Sequence, residues 1–428
     1  MDLAPRETCR SCGSRALTSV LSLGEQYVSG FVDQPGESAI APRAPLELVL
    51  CDAESGGCSL LQLRHTVPAD VMFRRYWYRS GVNKSMTSAL EDIARSAERV
   101  VKLSKGDLVV DIGCNDGTLL RSYRTPGLML VGYEPATNLV PYAQEDTSNI
   151  INDYFDAKIH QKHFQDTKAK VITSIAMFYD LEDPNKFVRD IAACLDENGV
   201  WIIQMSYLPS MLAQNAFDNI CHEHLEYYSM TSLQTLLRRH RFEVFDVELN
   251  DVNGGSFRVY VKHANCSSFG NGKDSRGRLA SVETLEARMK LNDRGVYQRF
   301  ASRVTSLRDR LYQFVKTEHE RGKKIYVYGA STKGNTLLQY CKLDHHLVGA
   351  AAERNPDKWG KRTVGTLIPI VSEEQARTEK PDYFLVLPWH FLPEFVDREQ
   401  AYLESGGKFI VPLPEFRLVE AGGCRAPK

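Results

Sequence analysis

The chain has 428 residues, too many for one hydrophobic core of ordinary size, so more than one domain is expected. With 43% apolar and 25% charged residues and a formal net charge of −1, it reads as a soluble globular protein without the basic footprint of nucleic-acid binding. The opening "MDLAPRETCRSCGS" has no signal-like apolar stretch, and no run of about 18 apolar residues follows. A cytoplasmic protein with no membrane or nucleic-acid partner and reduced cysteines is expected.

The first element is a small module over residues 1–68. Cys9-x-x-Cys12 lies in a polar turn, and Cys51 and Cys58 follow the strand-like "LELVL". Two thiolate pairs brought together by a hairpin suit a tetrahedral structural zinc, which a module this small needs for stability. The second pair is looser than usual, with six residues between its cysteines. Four protein thiolates leave no open position, so the metal is expected to be structural.

From about residue 68 to 103 the sequence reads as a linker and an amphipathic helix, "SALEDIARSAERVVKL". The aromatics Tyr76, Trp77 and Tyr78 either pack as core or, with Ser80, Asn83 and Lys84, line the cleft of the fold that begins next.

That fold alternates strands and helices. "DLVVDIG", "MLVGYEP", "AKVITSIAMF" and "GVWIIQMSY" read as buried strands, which predicts a doubly wound sheet binding ligands at its carboxyl ends. "FEVFDVELNDVNGGSFRVYVKH" reads as two antiparallel strands closing it, with Asn253-Gly254-Gly255 in the turn. In "VVDIGCNDGTLL" a strand ends at Asp111, Gly113 and Gly117 permit close backbone approach, and a helix N-terminus follows. A dinucleotide turn would receive a pyrophosphate; here Asp111 and Asp116 flank Asn115 and would repel one. They suit a cationic ligand with an amino-acid tail, S-adenosylmethionine (SAM), ahead of NAD. Glu134 ends the next strand, where a carboxylate takes ribose hydroxyls. Asp153 and Tyr154 in "INDYF" are placed at the adenine edge.

After the "GVWIIQMSY" strand comes "NICHEHLEYYS", residues 219 to 229. His222 and His224 are two apart, which fits neither HExxH nor any same-face helical pair. On extended backbone both imidazoles would point one way, with Glu223 opposite. A metal site, packing and general base catalysis all remain readings. The base is favoured because neutral histidine removes protons near pH 7 and a nearby carboxylate can set its tautomer. No third metal ligand is evident nearby. Tyr227 and Tyr228 are expected to shape the pocket or donate a hydrogen bond, and Asn219 is a candidate substrate contact.

Residues 266–322 are charged and helical in period. A second αβ unit then opens with "KKIYVYG", "ASTKGN" and "TLLQYCKL", followed by the strands "HLVGAAAE" and "DYFLVLP". Its turn suits an anion, with Ser331, Thr332 and Lys333 as added donors, although it is not a Walker motif. Glu353 ends the next strand, where a ribose or base could be held.

Taken in order, "CRSCGS", "DIGCNDGTLL", "CHEHLEYYS", "NGGSFRVYV" and "YGASTKGNTLLQY" resemble the sugar C-methyltransferase family over nearly the whole chain. Those enzymes methylate carbon 3 of nucleotide-linked 4-keto deoxysugars. The resemblance implies a zinc module over 1–68 and a class I Rossmann-like SAM methyltransferase domain over 69–265. It implies a smaller Rossmann-like domain over 266–428 that helps to hold the nucleotide diphosphate. The family's base maps onto His224, supported by Glu223 and His222, with Tyr78 or Tyr228 as donors to an enolate oxygen. Tyr76, Lys84, Tyr179, Asn219 and Ser331 to Lys333 are then substrate contacts. Two positions depart from the pattern: Cys221 stands where tyrosine is common, and Tyr179 and Asp180 stand near the place of a histidine in some sugar enzymes. O- or N-methylation, ketosugar epimerisation and binding without turnover are the alternatives, and oligomeric state is not readable.

Overall fold

The computed structural model describes residues 3–28, 30–147, 149–270 and 272–425. Strand Leu108–Ile112 is buried throughout and pairs in parallel with Met129–Tyr133 on one side and Ala169–Ile175 on the other. Chain direction across the sheet reverses there, which opens a crevice beyond the carboxyl ends of these strands. Asn149–Ile151 completes one edge. On the other side come Leu195–Ser206, then Ser256–His263 and Phe242–Asn250, both antiparallel pairings as the alternation of the sequence predicts. Helix Lys84–Val100 buries Leu90, Ile93, Ala94 and Ala97, spaced three and four apart, against Val109, Val171 and Ile202 of the sheet.

A second seven-stranded sheet holds five parallel strands, among them Ala351–Glu353, Ile325–Tyr328 and Tyr383–Val386, and two antiparallel ones at its edge. Helix Arg294–Glu320 closes it with a stripe of Phe300, Val304, Leu307, Leu311 and Val315. Both αβ units therefore match the α/β fold read from the alternation. Among the described residues no helix is long and apolar enough to cross a membrane.

The N-terminal strands Leu17–Tyr27, Arg43–Cys51 and Leu61–Leu63 form an antiparallel sheet whose fourth strand is Glu226–Tyr227, contributed from 163 residues further along the chain (226 minus 63). A short pairing of Phe31–Val32 with Arg362–Thr363 ties the same module to the C-terminal sheet. The amino-terminal module thus touches both large units.

Candidate active site

One cavity of about 540 Å³ lies where the carboxyl ends of the two large sheets face each other. Its walls bring together three regions that are far apart in sequence: the 111–115 turn, the 223–224 pair and the 329–333 turn.

At the methyltransferase end, Asp111, Gly113, Asn115, Glu134, Asp153 and Tyr154 all reach the cavity. Gly113 has φ +71° and a Cβ there would lie 3.3 Å from Met177, so the turn presents bare backbone to the ligand. Burial pushes the Asp111 carboxyl up to about 7, against a 2.6 Å hydrogen bond donated by the Thr173 hydroxyl. Burial pushes Glu134 up to about 7 as well, against the N–H groups of Ala136 and Asn115 that donate to it. Among the described residues neither carboxyl has an ion-pair partner, so a cationic ligand would complete the site. Asp116 and Gly117 are absent from the cavity wall. Asp116 accepts the N–H of Gly81 at 2.7 Å and the Thr118 hydroxyl at 2.6 Å, pinning the linker. Gly117, at φ +77°, packs against Ala143.

The 219–229 stretch departs from the extended form expected of it. The backbone turns, with His224 N–H on the Cys221 carbonyl, so the two histidines diverge and Glu223 and His224 face the cavity together. His222 donates from Nε2 to the Ala44 carbonyl of the N-terminal module at 3.0 Å. His224 donates from Nδ1 to the Asn219 carbonyl at 2.8 Å, because a carbonyl can only accept. That backbone oxygen, and not Glu223, sets the tautomer and leaves Nε2 with the lone pair. Burial, then the positive charge of Lys333, hold His224 down to about 3, so it is neutral at working pH. The Tyr179 ring stands edge-on to the imidazole, with centroids 4.4 Å apart. Burial pushes Glu223 up to about 7, opposed by Lys333 and by hydrogen bonds from Thr332 and Tyr76.

Cys221 supplies the third donor that the sequence pattern did not reveal: its sulfur, a Glu223 oxygen and a His224 nitrogen lie within 4.8 Å of one another. A dication there would meet the ammonium of Lys333, which reaches the Asn219 side-chain oxygen at 2.6 Å. Tyr76, Tyr78 and Tyr179 line the cavity; Tyr228 does not. Its buried hydroxyl sits in the cluster that holds Cys9 and Phe178, on the zinc side, which removes it as a donor to substrate. Lys84, at the start of an exposed helical turn, and Asn219 also stay out of the wall.

From the C-terminal sheet, Ser331, Thr332, Lys333 and Glu353 reach the cavity. The Ser331 hydroxyl is engaged as the N-cap of helix Thr332–Tyr340. Glu353 accepts from the N–H groups of Ala330, Arg354 and Asn355 and pairs with Lys358, so it shapes its own loop. Arg354, Lys358 and His390 also line the wall and were missed from sequence. "PWHF", placed just after strand Tyr383–Val386, is the signal that could have found His390.

In the N-terminal module the four cysteine sulfurs lie within 4.8 Å of one another, with Cys9 and Cys58 3.6 Å apart and Cys12 and Cys51 3.5 Å apart. Tetrahedral Zn–S bonds of about 2.3 Å require roughly 3.8 Å between sulfurs, so the donor set fits zinc. The long second spacing closes because Asp52 caps a short helical turn and Gly57 folds back, where a Cβ would lie 2.6 Å from the Cys51 carbonyl carbon.

Comparison with known proteins bears on this geometry. The C-methyltransferase NovU of Streptomyces niveus is 32% identical over 423 residues, covering 97% of this chain and 98% of that protein. The chain belongs to the C-methyltransferase family. The model for a C-methyltransferase C-terminal domain matches residues 251–414 of this C-methyltransferase, and a methyltransferase domain model matches 82–247. A third model, described as zinc binding, matches 9–73. Among solved structures, the PH0226 protein of Pyrococcus horikoshii OT3 aligns with TM-score 0.35 and 17% identity, covering 44% of this chain and 94% of that one. The plantazolicin methyltransferase BpumL in complex with SAH aligns with TM-score 0.33 and 14% identity, covering 41% and 82%. The enzyme is a SAM-dependent C-methyltransferase with a zinc-binding N-terminal module.

Proposed function

We propose that the acceptor is a nucleotide-linked keto sugar, methylated on carbon through an enolate, with residues 1–68 as zinc module, 69–265 as methyltransferase and 266–428 as nucleotide-side domain. The observation that carries the reading is the polarity of the cavity. Asp111 and Glu134 line the methyltransferase end and Lys333 and Arg354 the C-terminal end, all four without an ion-pair partner among the described residues, whereas Lys358 and Arg398 of the same wall are neutralised by Glu353 and Glu373. A cationic cofactor and an anionic acceptor would each meet opposite charge.

His224 Nε2 removes the proton made acidic by the neighbouring ketone, and Glu223 alongside stabilises the imidazolium as it forms. The Tyr78 hydroxyl is the candidate donor to the enolate oxygen; Tyr76 and Thr332 hold Glu223. Bound SAM supplies an electrophilic methyl whose departure needs no acid. Asp111, Asn115, Glu134, Asp153 and Tyr154 would hold SAM at this end of the cavity, and holding two reactants side by side accounts for roughly 7 to 11 kcal/mol in favourable intramolecular models.

Incubation with SAM and a panel of 4-keto nucleotide sugars tests the reading by mass spectrometry and NMR of the product. The expected product carries the methyl from SAM with a carbon-bound shift. A methyl at an oxygen- or nitrogen-bound shift overturns the enolate, and methylation of acceptors lacking a nucleotide in preference to the panel overturns the substrate class.

A further inference from the structure

The zinc module and the catalytic turn are built into each other. Strand Glu226–Tyr227, two residues after His224, pairs with Gln62 and Leu61 and is the outer strand of the zinc-side sheet. Leu63 N–H donates to the Leu225 carbonyl at 2.9 Å, and on the opposite flank of the turn His222 donates to the Ala44 carbonyl. Arg10 lies between the zinc ligands Cys9 and Cys12 and is fully buried, as is Glu226, with their nearest charged atoms 3.8 Å apart. Arg10 donates to the Leu63 carbonyl at 2.5 Å and to Gln62 Oε1 at 3.3 Å, on the strand against which Glu226–Tyr227 is laid, and to Thr66 Oγ1 at 2.6 Å just beyond it. Neither carboxylate oxygen of Glu226 has a hydrogen-bond partner, and the charge of Arg10, with a smaller contribution from Arg6, is what opposes the cost of burying it. Asn185, in the first turn of the methyltransferase helix Pro184–Cys194, in turn donates to the Arg10 and Ser11 carbonyls of the knuckle at 2.7 and 3.0 Å.

We infer that zinc, through Arg10 and Glu226, positions the turn that carries Glu223 and His224, so that the metal governs acceptor chemistry and not SAM binding. Arg10 and Glu226 touch neither cofactor nor acceptor; they are positioning residues. Loss of Arg10 would leave the buried Glu226 carboxyl without its nearest cation, and loss of Glu226 would leave Arg10 with Glu182 alone, half exposed and 3.7 Å away. Coupling of two sites is also reciprocal: if zinc holds the turn, damage to the turn must loosen zinc. The inference does not depend on which acceptor is used, since its principal readouts involve no substrate.

Hydrogen–deuterium exchange on the full-length protein, before and after zinc withdrawal by a chelator, tests it. Amides of residues 222–229 should exchange about tenfold faster or more without zinc, while those of 108–117 at the SAM turn keep their protection. Unchanged exchange in 222–229 overturns the inference, and so does equal loss of protection in both segments, which would mean global unfolding. In zinc-loaded protein, Glu226→Gln should speed metal release to a colorimetric chelator about fivefold or more, with Arg10→Lys intermediate between wild type and Arg10→Met. Release at the wild-type rate in Glu226→Gln overturns the link. Should Glu226→Gln fail to fold, the exchange experiment on wild type decides alone. Zinc-depleted protein should retain its SAM affinity within about threefold by calorimetry; loss of that affinity counts against the inference even if the keto-sugar reading stands.

Discussion

Lys333 of the C-terminal unit reaches into the methyltransferase unit and donates to the Asn219 side chain at 2.6 Å, while the backbone carbonyl of the same asparagine holds the Nδ1 proton of His224. One residue thus joins the anion-side turn to the proposed base. Lys333 also pushes His224 and Glu223 down, in each case second in size to the effect of burial. Lys333→Met should let both rise. His224 would then be protonated, and Glu223 neutral, at higher pH than in wild type. Burial still keeps His224 neutral at pH 7, so the acid limb of kcat/KM between pH 5 and 9 is that of Glu223; it is expected to move upward, with a loss of about fivefold at pH 7 that diminishes as pH rises. An acid limb at the wild-type position would separate Lys333 from Glu223.

SAM binding should depend on pH through Glu134 and Asp111. Both are raised to about 7 by burial, and the ionised form is the one that accepts from ribose hydroxyls or balances a cation. Affinity is therefore expected to weaken as pH falls below about 7, by at most about tenfold per pH unit for each group, and to level off above it. Glu134→Gln should raise Kd by about 10- to 100-fold, as loss of a charge-assisted hydrogen bond of about 1.5 to 3 kcal/mol implies, and flatten that dependence. Calorimetry in buffers of different ionisation enthalpy measures both the affinity and the proton released.

The ligand-free enzyme should be more stable slightly below neutrality than above it. Asp111, Glu134 and Glu223 have folded values of about 7, above those of unfolded carboxyls, so the folded state holds these protons more tightly. Their contribution is greatest below about pH 4.5 and is lost as pH rises through about 7. Thermal scans from pH 8 to pH 6 are expected to show rising Tm, and saturating SAM should reduce that rise.

Gly57→Ala should cost zinc without removing a ligand. Its Cβ would press on the Cys51 and Asp52 backbone, which brings Cys58 back to the site. Metal analysis should show partial zinc loss, and Tm should fall by about 5 °C or more, because 1 kcal/mol moves Tm by roughly 2 to 4 °C in units of this size. Cys9→Ser should lose the metal altogether.

Local pattern exposed a large part of this molecule. The alternation of Leu108–Ile112, Met129–Tyr133, Ala169–Ile175 and Leu195–Ser206 shows the sheet, and Asp111 with Gly113 marks a turn that lines the cavity. Other features depend on contacts between distant residues, which no local period encodes. Asp116 looked like a ligand contact because nothing near it in sequence announces that Gly81 will claim its carboxylate. Tyr228 looked like a pocket donor because alternation cannot show that Glu226–Tyr227 joins a sheet begun about 200 residues earlier, at Leu17. The shape of the 219–225 turn is set by Ala44, Tyr179 and Lys333, all remote from it in the chain.

Removal of the acceptor's proton by His224 Nε2 can be read from exchange of that C–H in deuterated water. With the acceptor found in the panel, and SAM omitted, wild type should incorporate deuterium at the carbon that later carries the methyl. His224→Gln should abolish both this incorporation and methylation while binding SAM with wild-type affinity. Deuterium incorporation and turnover at wild-type rates in His224→Gln would contradict the assignment.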